Sequence, residues 1–123
     1  MVADERIKVL IYEPLESGKV RTIKNTLESL QDVVGGNIEF VTPFPRGSES
    51  LLKNVLLICN EEGKLEGLPQ NRFLCNEDGR AYDFVAGTFI LCMRDLKEPG
   101  EITSLTDQQI ALLKQRVGKT HII

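Results

Sequence analysis

The segment Leu68-Pro69-Gln70-Asn71-Arg72 carries the residues best suited to bind a small ligand. The guanidinium of Arg72 can make a forked contact with a phosphate or a carboxylate, and the amide of Asn71 can bind another amide or a base edge. The alternative is a surface loop in which Arg72 pairs with Glu66 or Asp83. We expect a loop that crosses the end of a sheet and presents Asn71 and Arg72 to a ligand.

The tripeptide Gly87-Thr88-Phe89 offers a second set of groups for the same ligand. Gly87 would supply bare backbone, Thr88 a hydroxyl and Phe89 an aromatic ring. The alternative is a simple bend, because glycine inside a strand commonly marks a kink or a close backbone approach. We predict that Gly87, Thr88 and Phe89 complete the ligand-binding site.

Residue types suited to catalysis are sparse. The one histidine, His121, would have to be pinned back onto the body of the protein to act as a general base. The sequence contains no glycine-rich phosphate loop, no Gly-x-Ser-x-Gly and no His-x-x-x-His. The acidic turns at residues 60–63 and 76–79 could offer oxygen ligands to calcium, but turn geometry already explains them. We expect no catalytic residue, no metal and no cofactor.

The three cysteines are Cys59, Cys75 and Cys92, an odd number, and each lies among apolar residues. Their spacing matches neither a zinc site nor a redox Cys-x-x-Cys motif. We predict that they are buried, reduced thiols that act as small hydrophobic side chains.

Charge and hydropathy exclude several classes of partner. The net charge is −3, and the basic residues are scattered, whereas a nucleic-acid binder usually carries a basic face. No run approaches the twenty or so apolar residues of a membrane-spanning helix. The first residues are polar and acidic, where a secretory signal would carry cations and then an apolar stretch. We expect a cytoplasmic protein that binds neither nucleic acid nor membrane.

An internal repeat occupies the middle of the sequence. Residues 58–65 return sixteen positions later as residues 74–81. Each copy enters on apolar residues, turns through Asn-Glu-acid-Gly and leaves on a cation. This is the pattern of a type I turn closed by a left-handed glycine, so we predict two tandem β-hairpins, with turns at 60–63 and 76–79.

Other stretches predict the remaining elements. Asn25 with Glu28 forms a capping box for a helix that ends at Gly35-Gly36. Thr106 with Gln109 starts a second helix that Gly118 ends, and the following tail either frays or adds an edge strand. Residues rich in β-branched and aromatic types predict strands at 7–12, 20–23, 37–42, 54–59, 73–75 and 81–94, the last with a bend at Ala86-Gly87. Residues 44–50 are predicted as a mobile surface loop.

A chain of 123 residues is expected to form a single domain over 1–123, with one core. The predicted fold class is α+β, with a mostly antiparallel sheet of about five or six strands and two helices packed on one face. Residues 54–59 are almost continuously apolar, which predicts a strand buried on both faces at the centre of the sheet.

Several segments, in order along nearly the whole chain, carry a family resemblance: residues 7–14, Asn25-Thr26-Leu27-Glu28, residues 36–39, residues 59–64 with Gly67-Leu68-Pro69 and Asn71-Arg72, and Gly87-Thr88-Phe89 with Ser104-Leu105-Thr106. With these segments the chain resembles domain of unknown function 3846, a family of small proteins of phages and conjugative elements in Gram-positive bacteria. The resemblance implies an accessory protein in a bacterial host that acts against host defences. It would bind either a host protein or a small nucleotide signal, and neither task needs catalytic residues.

Two function hypotheses follow. The first is a non-catalytic counter-defence protein that binds and sequesters a small nucleotide-type ligand through Asn71, Arg72 and Gly87-Thr88-Phe89. The alternative is a protein-interaction module that inhibits a host factor through an apolar surface or a sheet edge, without a small ligand. A homo-oligomer is compatible with both, and an enzyme is the third and less favoured hypothesis.

Overall fold

The computed structural model describes residues 6–44 and 50–123, so most of the loop predicted at 44–50 lies outside the described residues. The described residues form nine strands and two helices. In chain order these are β1 (Arg6–Tyr12), β2 (Lys19–Lys24), α1 (Leu27–Val34), β3 (Ile38–Val41), β4 (Val55–Asn60), β5 (Gln70–Cys75), β6 (Ala81–Ala86), β7 (Phe89–Arg94), β8 (Ile102–Thr103), α2 (Asp107–Arg116) and β9 (His121–Ile122).

The strands form two sheets. The main sheet has the order β2-β1-β7-β4-β3, with β8 beside β7, and every pairing in it is antiparallel. The second sheet has the order β6-β5-β9, in which β5 pairs antiparallel with β6 and parallel with β9. The α+β class and the mostly antiparallel sheet of six strands are confirmed. The tail forms an edge strand, one of the two outcomes that its sequence allowed.

The predicted bend at Ala86-Gly87 is confirmed and separates the two sheets. Gly87 has a φ of +85°, a left-handed conformation that a residue with a Cβ rarely adopts. An added Cβ there would also lie 2.8 Å from Cδ1 of Leu68. The stretch predicted as one bent strand is therefore two strands, and the chain changes sheets at this glycine.

Only the second of the two predicted hairpins forms. Residues 76–79 turn the chain from β5 into β6, with Gly79 at a φ of +84° and the Asn76 amide donating to the Arg80 carbonyl at 2.9 Å. The prediction of a hairpin at residues 60–63 is wrong. β4 is already paired with β7 on one edge and β3 on the other, so no edge remains for a strand at residues 64–66.

Residues 61–67 form successive turns instead. The side-chain oxygen of Asn60 accepts from the Glu62 amide at 2.8 Å, which starts the first turn. The Leu68 amide donates to the Gly63 carbonyl at 2.9 Å, and Gly67 has a φ of +70°. This is the helix-ending arrangement that a left-handed glycine permits. The left-handed glycine of this segment is thus Gly67, which lies outside the repeat, four positions after its glycine Gly63.

The helix ends differ in two details from the predicted ones. Thr26, not Asn25, caps α1 by accepting from the Ser29 amide at 3.1 Å, while the side chain of Asn25 donates to the Ile102 carbonyl at 3.2 Å. The capping box of Thr106 and Gln109 at α2 is confirmed. That helix ends at Val117 in an extended conformation, so Gly118 is not its left-handed stop.

The two helices lie on opposite faces of the main sheet, which corrects the prediction of one shared face. Leu30 and Val34 of α1 belong to a core cluster that contains Leu56 and Ile58 of β4. The other cluster contains Leu113 of α2 and the alternate residues of β4, including Val55, Leu57 and Cys59. β4 is buried on both faces as predicted, and a strand of that kind needs cover on each side. It is an inner strand, but β7 is the central one.

All three cysteines are free and buried, as predicted. Burial raises the pKa of the Cys92 thiol to about 12, and burial together with the Glu39 carboxylate raises that of Cys59 to about 11. An unfolded chain loses these protons near pH ~8.5, while the folded chain keeps them. Folding therefore retains protons in this window, and the free energy of unfolding should fall as the pH rises from about 9 towards 12.

Replacing Cys92 with alanine is expected to flatten that decline, because one of the retained protons is removed. Chemical denaturation followed at several pH values between about 8 and 11 measures the slope. Val9→Ala is the matched control, since Val9 lies in the same cluster, is fully buried and does not titrate. Equal slopes in the two variants would contradict a contribution of the Cys92 thiol to the pH dependence of stability.

No helix among the described residues is long and apolar enough to cross a membrane.

Candidate functional site

Asn71 lies in β5 and is fully buried, not on a loop as predicted. Its side-chain NH₂ donates to the carbonyls of Tyr12 and Gly87, at 2.9 and 2.8 Å. Its oxygen accepts from Arg72 Nη1 at 2.8 Å and from the Leu15 amide at 3.4 Å. The amide therefore ties β5 to the end of β1 and to the corner between β6 and β7.

Arg72 is also in β5, and only 2% of its surface is exposed. Nε donates to the Gly118 carbonyl at 2.8 Å, Nη2 to the Glu16 carbonyl at 2.6 Å, and Nη1 to the Glu13 carbonyl at 3.3 Å. The guanidinium lies over the ring of Tyr12, 5.1 Å from its centroid. Arg72 thus joins three segments that are distant in sequence.

Neither carboxylate considered as a partner for Arg72 pairs with it. Asp83 is bound by Lys64 at 2.5 Å, and the Glu66 carboxylate lies 3.5 Å from the amide of Asn60. Among the described residues, no carboxylate lies within ion-pair distance of Arg72. Its positive charge is instead held by backbone and amide oxygens, which carry no net charge.

The electrostatics of Arg72 follow from this arrangement. Burial lowers the pKa of the guanidinium, although its normal value is so high that the group stays charged. Burial also raises the pKa of Tyr12, the ring beneath it. An arginine has five N–H donors, and four of them are used in the four bonds already described. Within the described part of the chain, one Nη2 hydrogen has no acceptor and no carboxylate balances the positive charge.

Arg72 lines a cleft of about 760 Å³ between the β1–β2 connection and the end of α2. This volume lies within the range of roughly 300–1,000 Å³ that small-molecule sites occupy. Four cations and one carboxylate are among the lining residues, which are Tyr12, Leu15, Glu16, Ser17, Gly18, Lys19, Arg72, Lys114, Val117, Gly118 and Lys119. The cleft is therefore electropositive in a protein whose net charge is −3.

The lysines of the cleft differ in their partners. Lys19 is shared between the carboxylates of Glu13 and Glu16, at 3.2 and 3.8 Å. Lys114 and Lys119 are exposed, and neither makes an ion pair with another described residue. These two ammonium groups, together with Arg72, are the charges that an incoming anion would meet.

The β1–β2 connection forms one wall of the cleft and is closely fitted to the ring of Tyr12. Any side chain at Gly18 would collide with that ring, so only glycine fits there. Leu15 has a φ of +62°, an uncommon and strained conformation for a residue with a Cβ, and it is 48% exposed. The bonds from Arg72 to the Glu13 and Glu16 carbonyls hold this wall in place.

Of the five predicted ligand residues, Arg72 lines the cleft and the other four do not. Gly87 accepts from Asn71 and donates its amide to the Pro69 carbonyl at 2.7 Å. Phe89 is fully buried and stacks on Tyr12, with ring centroids 5.1 Å apart. Thr88 is half-buried. The structure thus brings Asn71, Gly87 and Phe89 together behind the cleft, where they support Tyr12 and Arg72.

The residues on the other side of the cleft were not predicted from the sequence. Lys114 lies in the last turn of a helix, where the helix dipole already explains a basic residue, and Lys119 lies in the tail, which carries no local binding pattern. Ser17-Gly18-Lys19 is a recognisable turn, but no local pattern links it to Arg72. Among the described residues, no three histidine, cysteine or acidic side chains lie close enough to share a metal ion.

Comparison with known proteins gives one match. A family model described as a domain of unknown function (DUF3846) matches residues 7–118. The matched span contains every residue of the cleft except Lys119, which follows it directly. No curated protein and no solved structure matches the chain.

Proposed function

Because the chain belongs to the family described as a domain of unknown function (DUF3846), a description that names no activity, we propose a function from the geometry of its own cleft. The protein is a non-catalytic binder that sequesters a small nucleotide-type ligand, and it holds the phosphate of that ligand at Arg72, Lys114 and Lys119. On the family resemblance, we further propose that it serves a phage or mobile element against a defence signal of its host.

The observation that supports the proposal is the buried charge of Arg72. A cation that is removed from water normally requires a counter-charge and hydrogen-bond acceptors for its donors, because desolvation of an ion is expensive. Arg72 is 2% exposed, lies among uncharged oxygens and keeps one N–H donor without a protein acceptor in the described part of the chain. A phosphate in the cleft would supply both the counter-charge and the acceptor.

The remaining lining residues favour a ligand with an organic part. Leu15 and Val117 add apolar surface beside the cations, and Ser17 adds a hydroxyl. A free inorganic anion would fill only a fraction of a cleft of about 760 Å³. A nucleotide or an ADP-ribose derivative combines a phosphate with a flat apolar group and fits this mixture of surfaces.

A thermal-shift and calorimetry experiment with ADP-ribose and cyclic nucleotides tests the proposal. At a ligand concentration of about 100 times Kd, binding should stabilise the folded state by roughly 2.7 kcal/mol. The double substitution Lys114→Glu and Lys119→Glu should weaken binding about tenfold or more, because it replaces attraction to the phosphate by repulsion. Both lysines are exposed, so the fold should survive.

The matched control carries the same change of charge elsewhere, as Lys53→Glu with Lys97→Glu, two exposed lysines outside the cleft. Its affinity should stay close to that of the unmodified protein at physiological salt. The proposal fails if no compound of these classes stabilises the protein at saturating concentration. It also fails if both double variants lose affinity equally, because the effect would then be one of overall charge.

A further inference from the structure

A second concavity of about 330 Å³ lies between the two sheets and shares no residue with the Arg72 cleft. β3 forms one of its walls and β6 the other. Each is the last strand of its sheet, so each has one edge whose backbone groups are not paired within its sheet. The lining residues are Glu39, Val41, Cys59, Asn60, Glu61, Lys64, Leu65, Leu74, Asp83, Phe84, Val85 and Ala86. We refer to this concavity as the inter-sheet groove.

The inter-sheet groove has an apolar floor and an acidic rim. Leu74 and Val85 are buried at its base, and Leu65 is 88% exposed beside it. Its charged groups are three carboxylates against one ammonium, so it is electronegative where the Arg72 cleft is electropositive. The field of Glu39 is also among the causes that raise the pKa of the neighbouring Cys59 thiol.

The acidic groups of the rim are not all neutralised. Lys64 pairs with Asp83 and lies over the ring of Phe84, at 4.7 Å from its centroid. Glu39 and Glu61 have no cation within ion-pair distance among the described residues. Two exposed carboxylates are thus available to a positively charged partner.

The two outer strands of the main sheet are protected to different degrees. β2, with the sequence Lys-Val-Arg-Thr-Ile-Lys, carries three cations in six residues, a common protection of an edge against pairing with other chains. β3, with the sequence Ile-Glu-Phe-Val, carries no cation, and its Phe40 is 50% exposed. β3 is therefore the edge of the main sheet that is chemically suited to accept another strand.

We propose that the inter-sheet groove binds an extended segment of a partner protein in which lysine or arginine alternates with apolar residues. An added strand would pair with the free edge of β3, which is the mode of recognition called β-augmentation. Neighbouring strands place side chains directly opposite each other. A cation would then face Glu39, and the next residue, an apolar one, would face Phe40.

Fluorescence anisotropy with a labelled peptide tests this inference. The probe is a synthetic hexapeptide of alternating lysine and valine, and the control peptide has glutamate in place of lysine. The first peptide should bind saturably and the second should not. Charge reversal by Glu39→Lys with Glu61→Lys should weaken binding about tenfold or more, since two attractions become repulsions. The matched control is Glu77→Lys with Glu98→Lys, two exposed acidic residues away from the groove, and it should retain affinity.

Hydrogen–deuterium exchange shows whether the peptide adds a strand or only neutralises charge. Strand addition should slow exchange in residues 38–41, because newly paired amides are protected. The inference is overturned by absent binding, by equal weakening in both double variants, or by binding that leaves the exchange of β3 unchanged. It is also overturned if sedimentation shows a dimer that Glu39→Lys with Glu61→Lys dissociates, because a second copy of this chain would then occupy the groove.

Discussion

Replacing Arg72 with alanine is expected to lower the free energy of unfolding by about 3 kcal/mol. The substitution removes four hydrogen bonds from a charged donor, and each such bond contributes more than a bond between neutral groups. It also removes the contact with the ring of Tyr12. Water entering through the cleft would satisfy some of the released carbonyls, which keeps the loss below the sum of the four bonds.

Chemical denaturation measures this loss, and Arg80→Ala is the matched control. The Arg80 side chain is 84% exposed and lies in a turn, so its removal should change stability by no more than about 0.5 kcal/mol. Hydrogen exchange should also accelerate in the β1–β2 connection, whose Glu13 and Glu16 carbonyls lose their donor. A loss below about 1 kcal/mol would contradict the role of Arg72 as the residue that holds this wall.

Phe89→Ala is expected to lower the free energy of unfolding by about 3–5 kcal/mol. Phe89 is fully buried, stacks on Tyr12 and begins the central strand of the main sheet. Its removal leaves a cavity that the paired backbone of β7 cannot collapse to fill, because β1 and β4 hold that strand from both sides. The Tyr12 ring would also lose its stacking partner.

The same substitution at Phe40 provides the control. Phe40 is 50% exposed on an edge strand, so Phe40→Ala should cost about 1 kcal/mol or less. Denaturation curves of the two variants compare one residue type in two environments. Similar losses for both would show that Phe89 is not held in the core as described. Phe89 was predicted from the sequence as a ligand contact, and this experiment measures the structural role that its burial indicates.

The fold class, the main strands and both helices are predictable from local patterns, because period, capping residues and β-branched content act within a few residues. The first copy of the internal repeat shows where this stops. Its turn residues are as suitable for a hairpin as those of the second copy, yet β4 already has a neighbour on each edge. Whether an edge is free depends on strands far away in sequence, and no local pattern records that.

The cleft was predictable only in part for the same reason. The residue type of Arg72 identifies it as an anion-binding candidate, and it does line the cleft. Three of its four hydrogen-bond acceptors, however, are backbone carbonyls, at residues 13, 16 and 118, and a backbone carbonyl has no signature in the sequence. The prediction that both helices pack on one face was wrong for a different reason. A strand that is apolar on both sides, such as β4, needs cover on each face of the sheet, and the prediction did not apply this requirement to the helices.

The position of β7 in the main sheet also determines when the chain can complete its fold during synthesis. β7 joins the β2-β1 pair to the β4-β3 pair, yet it is the eighth of the eleven described elements and begins only at residue 89. Until β7 has been made, β4, in which five of six residues are apolar, lacks the strand that covers one of its edges. β7 must therefore be synthesised before the chain can cover this apolar strand. The risk of aggregation through β4 is greatest before that point.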